Sequence, residues 1–188
     1  ALPFAVVRGL GGEQLGSTVH AAGDVNGDGF DDLAVGLNLL DDVAKVRVFH
    51  GGPDGLTQTA PDLPGPKFFG AVLASGDLNG DGFDDLVVGS LWEERERGRV
   101  WLYAGAAEGL ARTPIWNFQG GPRSHAGIAV AVGDTNGDGF DDVFLGLDRF
   151  LVGSEKNRAS IQVHLGSAGG PSASPDWIAD GDCEDWYQ

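Results

Sequence analysis

The sequence predicts an all-β protein built of propeller blades, and three observations carry that prediction. A ten-residue string, GDVNGDGFDD at 23–32, returns almost unchanged at 76–85 and 133–142, at intervals of 53 and 57 residues. Short apolar runs flank each copy, such as LVVGS after the second and VLASG before it, of strand length and ending at glycine. Each unit of about 50 residues holds four such runs, which is the strand complement of one propeller blade.

Taken in order, the second unit supplies strands at 71–76, 84–90, 98–105 and 114–120. The first unit has VRVFHG as its third strand and APDLPG as its fourth, and the third unit has IQVHLG and PDWIADG at those places. Residues 1–188 therefore read as a single domain of three four-stranded antiparallel repeats, approximately 15–66, 67–122 and 123–182. Residues 3–10, within PFAVVRGLGG, align with the fourth strand of a preceding blade and add an extra outer strand. Three blades would leave an open edge, and unpaired edges recruit other strands. The expectation is a part-propeller, either within a longer chain or in a homo-oligomer, most simply two chains in a six-bladed ring. The absence of methionine fits a processed or excised segment.

The repeated string concentrates negative charge. Two carboxylates about 4 Å apart repel by roughly 4 kcal/mol at an effective dielectric near 20. No lysine or arginine lies in any copy, so a bound cation is the expected counter-charge. Asp24, Asn26 and Asp28 alternate, so a tight loop can turn all three oxygens inward while Gly27 and Gly29 allow the necessary backbone angles. An all-oxygen donor set of this kind suits Ca²⁺ better than Mg²⁺, which demands a strict octahedron. The seventh residue, Phe30, would add its backbone carbonyl and the ninth, Asp32, its carboxylate, while Asp31 would point out of the cage. The same roles fall to Asp77, Asn79, Asp81, Phe83 and Asp85, and to Asp134, Asn136, Asp138, Phe140 and Asp142, giving three Ca²⁺ per chain. Solvated Asx turns are the plainer alternative. An EF-hand is excluded: its twelfth position requires glutamate and flanking helices, and here stand Val35, Val88 and Leu145 between strands.

A formal charge of −16 stays negative even with three Ca²⁺ bound, which argues against nucleic acid or an anionic membrane surface as the partner. No apolar run approaches a membrane span. The lone cysteine, Cys183, rules out an internal disulfide framework and stands free or pairs between chains.

On the DxNxDGFDD loops and their blade-length repeat, the chain resembles the FG-GAP repeat family, the calcium-bearing blades of integrin α-subunit propellers and their bacterial relatives. The FG element stands at Phe69 and Gly70, becoming Leu15–Gly16 and Ala126–Gly127 in the other repeats, and the GAP element is altered to GLN, GSL and GLD. The resemblance implies that the face away from the cation loops meets ligands.

Strands two and three of each repeat are joined on that face by 38–42, 91–97 and 148–158. These carry Leu39, Leu40, Trp92, Phe150 and Leu151 where loops are ordinarily polar, so they are candidates for partner binding. Inward packing on the propeller axis is an equal alternative. His164 and His20 sit at strand positions and read as sheet packing, EERER at 93–97 as a solvated loop, and Asp180, Asp182, Glu184 and Asp185 as a solvated acidic terminus. No nucleophile elbow or phosphate loop occurs. The expected function is a calcium-stabilised, non-enzymatic binding, adhesion or assembly module for a protein or glycan, secreted or on the cell surface. The alternative is the propeller portion of a secreted hydrolase or glycan-acting enzyme.

Overall fold

The structure is a computed structural model and describes residues 9, 14–37, 43–58, 60–149 and 158–182. Among them lie twelve strands in three separate four-stranded sheets, each antiparallel and in simple up-and-down order. The first sheet holds β1 (Leu15–Gly23), β2 (Asp32–Leu37), β3 (Val43–Phe49) and β4 (Leu63–Pro66). The second holds β5 (Val72–Gly76), β6 (Asp85–Ser90), β7 (Arg99–Tyr103) and β8 (Trp116–Gln119). The third holds β9 (Ala129–Gly133), β10 (Asp142–Arg149), β11 (Arg158–His164) and β12 (Trp177–Asp182). β5 packs between β1 and β9, so the blades fan outward from their first strands.

The second strands of the first two blades are buried on both faces, and their sequences are accordingly nearly unbroken apolar runs, whereas burial along β10 of the third blade alternates. Register makes the repeats superimposable: Val46, Val100 and Ile161 face Gly36, Gly89 and Gly146 on the neighbouring strands. Alternate residues then serve opposite interfaces. Leu86, Val88, Trp101 and Tyr103 close on Ala34, Val46 and Leu63 of the first blade. Val87, Val100 and Leu102 close on Val143, Leu145 and Leu147 of the third. Phe69 is buried in the first interface, with its ring 5.2 Å from Trp101 and 6.2 Å from Tyr103 in edge-on contacts. Its role is thus to seal one blade against the next, which is a packing reason for that residue of the repeat.

Several expectations are corrected. Asp180 and Asp182 belong to β12, paired in register with Ser160 and Arg158, so this part of the acidic stretch is strand rather than a loose terminus, with Asp180 exposed. The segment 93–97 is a tight turn in which Glu93 lies 3.3 Å from the Arg99 guanidinium and accepts the Arg97 and Gly98 N–H groups on its carbonyl, so it is tied down rather than simply solvated. His20 is half-buried on β1 and its Nε2 is 3.0 Å from Ser75 Oγ of the second blade, a polar bridge between first strands in keeping with sheet packing. His164 is fully buried against Trp116 and Phe118, in keeping with a packing role, with Nδ1 2.9 Å from the Ser172 carbonyl. Residues 3–8 and 10 of the extra strand lie outside the described residues, as do Cys183, Glu184 and Asp185.

Candidate functional site

Each DxNxDG string forms the turn between the first and second strands of its blade, and its first aspartate organises it. Asp24 Oδ1 accepts the N–H of Gly27 at 2.7 Å and of Asp28 at 3.1 Å, and Oδ2 accepts that of Gly29 at 2.7 Å. Asn26 Oδ1 accepts the Asp28 N–H while its Nδ2 donates to Asp28 Oδ2, and Asp28 Oδ1 accepts the Phe30 N–H. The loop therefore coils around three side chains that share one side. Asp77, Asn79 and Asp81 repeat these bonds, as do Asp134, Asn136 and Asp138. The N–H groups of Gly137 and Gly139 hold the Asp134 carboxyl below the usual range.

The ninth residue plays a different part. Asp32, Asp85 and Asp142 are buried. Asp32 Oδ2 accepts the Val25 N–H and Oδ1 that of Gly51, so this carboxylate pins the start of its loop to the turn after β3. Asp85 does the same with Leu78 and Gly105, and Asp142 with Thr135 and Gly166. In the third blade the Thr135 hydroxyl also donates to Asp142. Among the described residues no three carboxylate or imidazole groups gather as a metal cluster would require, so the three aspartates expected in each cation set are not drawn together at one point. Burial pushes Asp85 up to about 7, and raises Asp32 as well. Arg47 pairs with Asp62, Arg99 with Glu93 and Glu94, and Arg123 with Glu96.

The eighth residue, which the sequence leaves pointing away from the cage, proves to be the link between blades. Asp84 Oδ2 accepts the N–H of Asp24 at 2.8 Å, and the Asp84 N–H donates to the Asp24 carbonyl at 3.1 Å. Asp141 grips Asp77 in the same way, at 3.0 Å for both bonds. Beside them Phe83 lies over Gly27 and Phe140 over Gly80; a β-carbon built on Gly27 would fall 2.6 Å from the Phe83 ring. Both glycines have left-handed φ, 73° and 72°, so the turn and the close approach each demand glycine. The first two loops are thus each seated in the blade that follows. The signal was in the sequence as a third aspartate, invariant across the three repeats yet without a place in the cation set.

At the opposite end of the blades, the turn after β6 and the link between β8 and β9 enclose a cavity of about 530 Å³, lined by Leu91, Trp92, Glu96, Arg123, His125, Ile128 and Asp148. Trp92 is 50% exposed, its ring 5.2 Å from His125 and 6.1 Å from Phe68. Glu94, Arg95, Glu96, Arg123 and His125 all carry positive φ, between 41° and 68°. Such backbone costs on the order of 1 kcal/mol or more per residue and persists only where the surroundings enforce it. Here the enforcement is visible: the N–H groups of His125 and Ala126 donate to the carbonyls of Glu96 and Arg97, and that of Asp148 to Ser124. Ser124 Oγ donates to the Arg97 carbonyl and His125 Nδ1 meets the Asp148 carbonyl, so both polar groups serve the backbone. Of the sequence candidates for partner binding, Trp92 lies in this cavity; Leu39, Leu40, Phe150 and Leu151 lie outside the described residues. Arg123, His125 and Ile128 come from a link between blades and carry no motif that sequence could flag.

The FG-GAP repeat model matches residues 15–36 and 69–103. Integrin alpha-4 of Xenopus laevis is 31% identical over 153 residues, 72% of this chain and 15% of that protein. Integrin alpha-8 of Gallus gallus is 30% identical over 164 residues, 74% of this chain and 16% of that protein. Integrin alpha-6 of Gallus gallus is 37% identical over 91 residues, 45% of this chain and 8% of that protein. The chain thus spans about a sixth or less of the length of these relatives.

Proposed function

From the chain's membership of the FG-GAP repeat family, we propose that it is a calcium-stabilised propeller segment acting outside the cell as a non-enzymatic adhesion or binding module. The observation that carries this reading is the threefold loop: three coiled aspartate sets, each backed by a buried carboxylate. A hard divalent cation fits this donor chemistry. Asp24, Asn26 and Asp28, with the Phe30 carbonyl and Asp32, would hold one Ca²⁺; Asp77, Asn79, Asp81, Phe83 and Asp85 a second; Asp134, Asn136, Asp138, Phe140 and Asp142 a third. The ion supplies positive charge to a turn that already faces its oxygens one way. At about 100 times its Kd, each would stabilise the fold by roughly 2.7 kcal/mol. Weak sites of this class fill at extracellular calcium levels, which supports a secreted or cell-surface location.

The partner, a protein or glycan, meets the cavity around Trp92. A half-exposed indole beside Ile128, rimmed by Glu96 and Arg123 and held on strained, tied-down backbone, is suited to seating one apolar or aromatic group within a polar surround. Calorimetric titration with CaCl₂ should find about three ions per chain, and Asp28→Ala should remove one; fewer than two ions in the parent chain contradicts the reading. Trp92→Ala should abolish binding to whichever immobilised matrix protein or glycan captures the parent chain, with calcium stoichiometry and melting unchanged.

A further inference from the structure

We propose that the Asn–Gly links 26–27, 79–80 and 136–137 are sites of self-modification, held inert by the coil of their own loop and converted to aspartyl and isoaspartyl links when that loop opens. The coil carries this inference by itself; only the calcium arm of its test rests on the reading above.

In an Asn–Gly pair the backbone nitrogen that can attack the side-chain carboxamide has no β-carbon beside it to shield it. All three loops carry the pair, and in all three the glycine is exposed and solvent reaches the asparagine. In the reaction the Gly27 nitrogen loses its proton and bonds to Asn26 Cγ, the Cγ–Nδ2 bond breaks, and the proton leaves with the amide as ammonia. The cyclic imide then takes up one water. Opening at one carbonyl leaves aspartate; opening at the other leaves isoaspartate, which routes the main chain through the former side chain.

The closed coil restrains both partners in that reaction. The Gly27 N–H donates to Asp24 Oδ1 at 2.7 Å, and those of Gly80 and Gly137 donate to Asp77 and Asp134 at the same distance. Removing that proton would set an anionic nitrogen against a carboxylate, which like-charge repulsion opposes. The carboxamide is held at both ends. Asn26 Oδ1 accepts the Asp28 N–H at 3.0 Å and Nδ2 donates to Asp28 Oδ2 at 2.9 Å, so the group is not free to turn its face to the Gly27 nitrogen. Asp81 holds Asn79 in the same way, at 2.9 and 3.0 Å, and Asp138 holds Asn136, at 2.9 and 2.8 Å. Isoaspartate lengthens the main chain and adds a charge, so a coil once modified cannot re-form. An ion that binds only the closed loop lowers the open population about a hundredfold at about 100 times its Kd.

The test follows ammonia loss from the full chain at neutral pH by peptide mass spectrometry, in CaCl₂, in EGTA, and in EGTA with urea. Asn26, Asn79 and Asn136 should react fastest in urea and slowest in calcium, each yielding both aspartate and isoaspartate. Asn117, which precedes Phe118 in β8, is the unreactive reference. In calcium, Asp24→Ala frees the Gly27 N–H and should speed Asn26 about tenfold or more while Asn79 and Asn136 keep the parent rates. Asp77→Ala should do the same for Asn79 alone. Were either variant to lose its fold, all three sites would rise to the urea rate together, and the parent comparison decides alone. Reaction in calcium as fast as in urea, folded variants that leave their own asparagine at the parent rate, or aspartate as the sole product would each overturn the proposal. Equal rates in EGTA and CaCl₂, both far below the urea rate, would overturn the calcium reading and leave the guard by the coil standing.

Discussion

The first two DxNxDG loops and the third have nearly the same sequence and the same internal hydrogen bonds, yet they stand in different surroundings. Loops 24–32 and 77–85 are clamped from outside by Asp84 with Phe83 and by Asp141 with Phe140, and their second residues, Val25 and Leu78, are buried. Loop 134–142 has no such clamp, and its second residue is Thr135, exposed and bonded back to Asp142. The lesson is that a loop's internal hydrogen bonds are encoded within its own repeat, whereas its outer clamp comes from the next one.

The sharpest way to break the comparison is to fill the glycine beneath the clamp. Gly80→Ala should incur about 1–2 kcal/mol for left-handed backbone and a further ~1–3 kcal/mol for displacing Phe140. Gly137→Ala should incur only the first, because nothing lies above it. Chemical denaturation of the two variants reads the difference directly; equal losses would mean that the aromatic cap contributes nothing.

Removing the clamp itself should act more gently. Asp84→Ala deletes a charge-assisted bond to the Asp24 N–H at a half-exposed site and should destabilise by about 1–2 kcal/mol. It should also weaken calcium binding at loop 24–32, in the neighbouring blade, while leaving loop 134–142 unchanged. Asp31→Ala should do neither in dilute solution. If Asp84→Ala lowered affinity only in its own loop, the coupling between blades would fail.

The third blade also differs in its core, and this gives the smallest expected effect. His164 occupies the register position of Phe49 and Tyr103. Burial lowers its pKa below the usual 6.5. A group that is harder to protonate folded than unfolded contributes stability that is present above the unfolded pKa and is lost as the pH falls through 6.5 and below. The chain should therefore lose stability between about pH 6.5 and 5, and His164→Phe should flatten that part of the profile. An unchanged slope in His164→Phe would assign the acid loss elsewhere.

Blade order, strand positions and the coiled form of the three loops were legible because each depends on spacing within one repeat. Four apolar runs per unit fix a blade, and alternating Asp24, Asn26 and Asp28 on a glycine-rich turn fix where their oxygens face. Contacts between repeats were not legible in that way. Asp84 looks idle until Asp24 of the preceding blade is placed beside it. His125 and Arg123 acquire their strained backbone only because the carbonyls of Glu96 and Arg97, in the turn before β7, hold that segment in place. The fourth strand of the third blade was legible in PDWIADG, and pairing with β11 carries β12 on to Asp182.

The central claim is that calcium binds all three loops and that the following blade tightens the first two. Backbone amide NMR of the dilute chain during calcium titration tests it most directly, because Gly29, Gly82 and Gly139 each donate to the first ligand of their own loop and report on it separately. The account predicts that the amides of Gly29 and Gly82 shift at lower calcium than that of Gly139, and that Asp84→Ala moves the Gly29 response to higher calcium. No calcium-dependent shift at any of the three, or one common midpoint unaffected by Asp84→Ala, would contradict it.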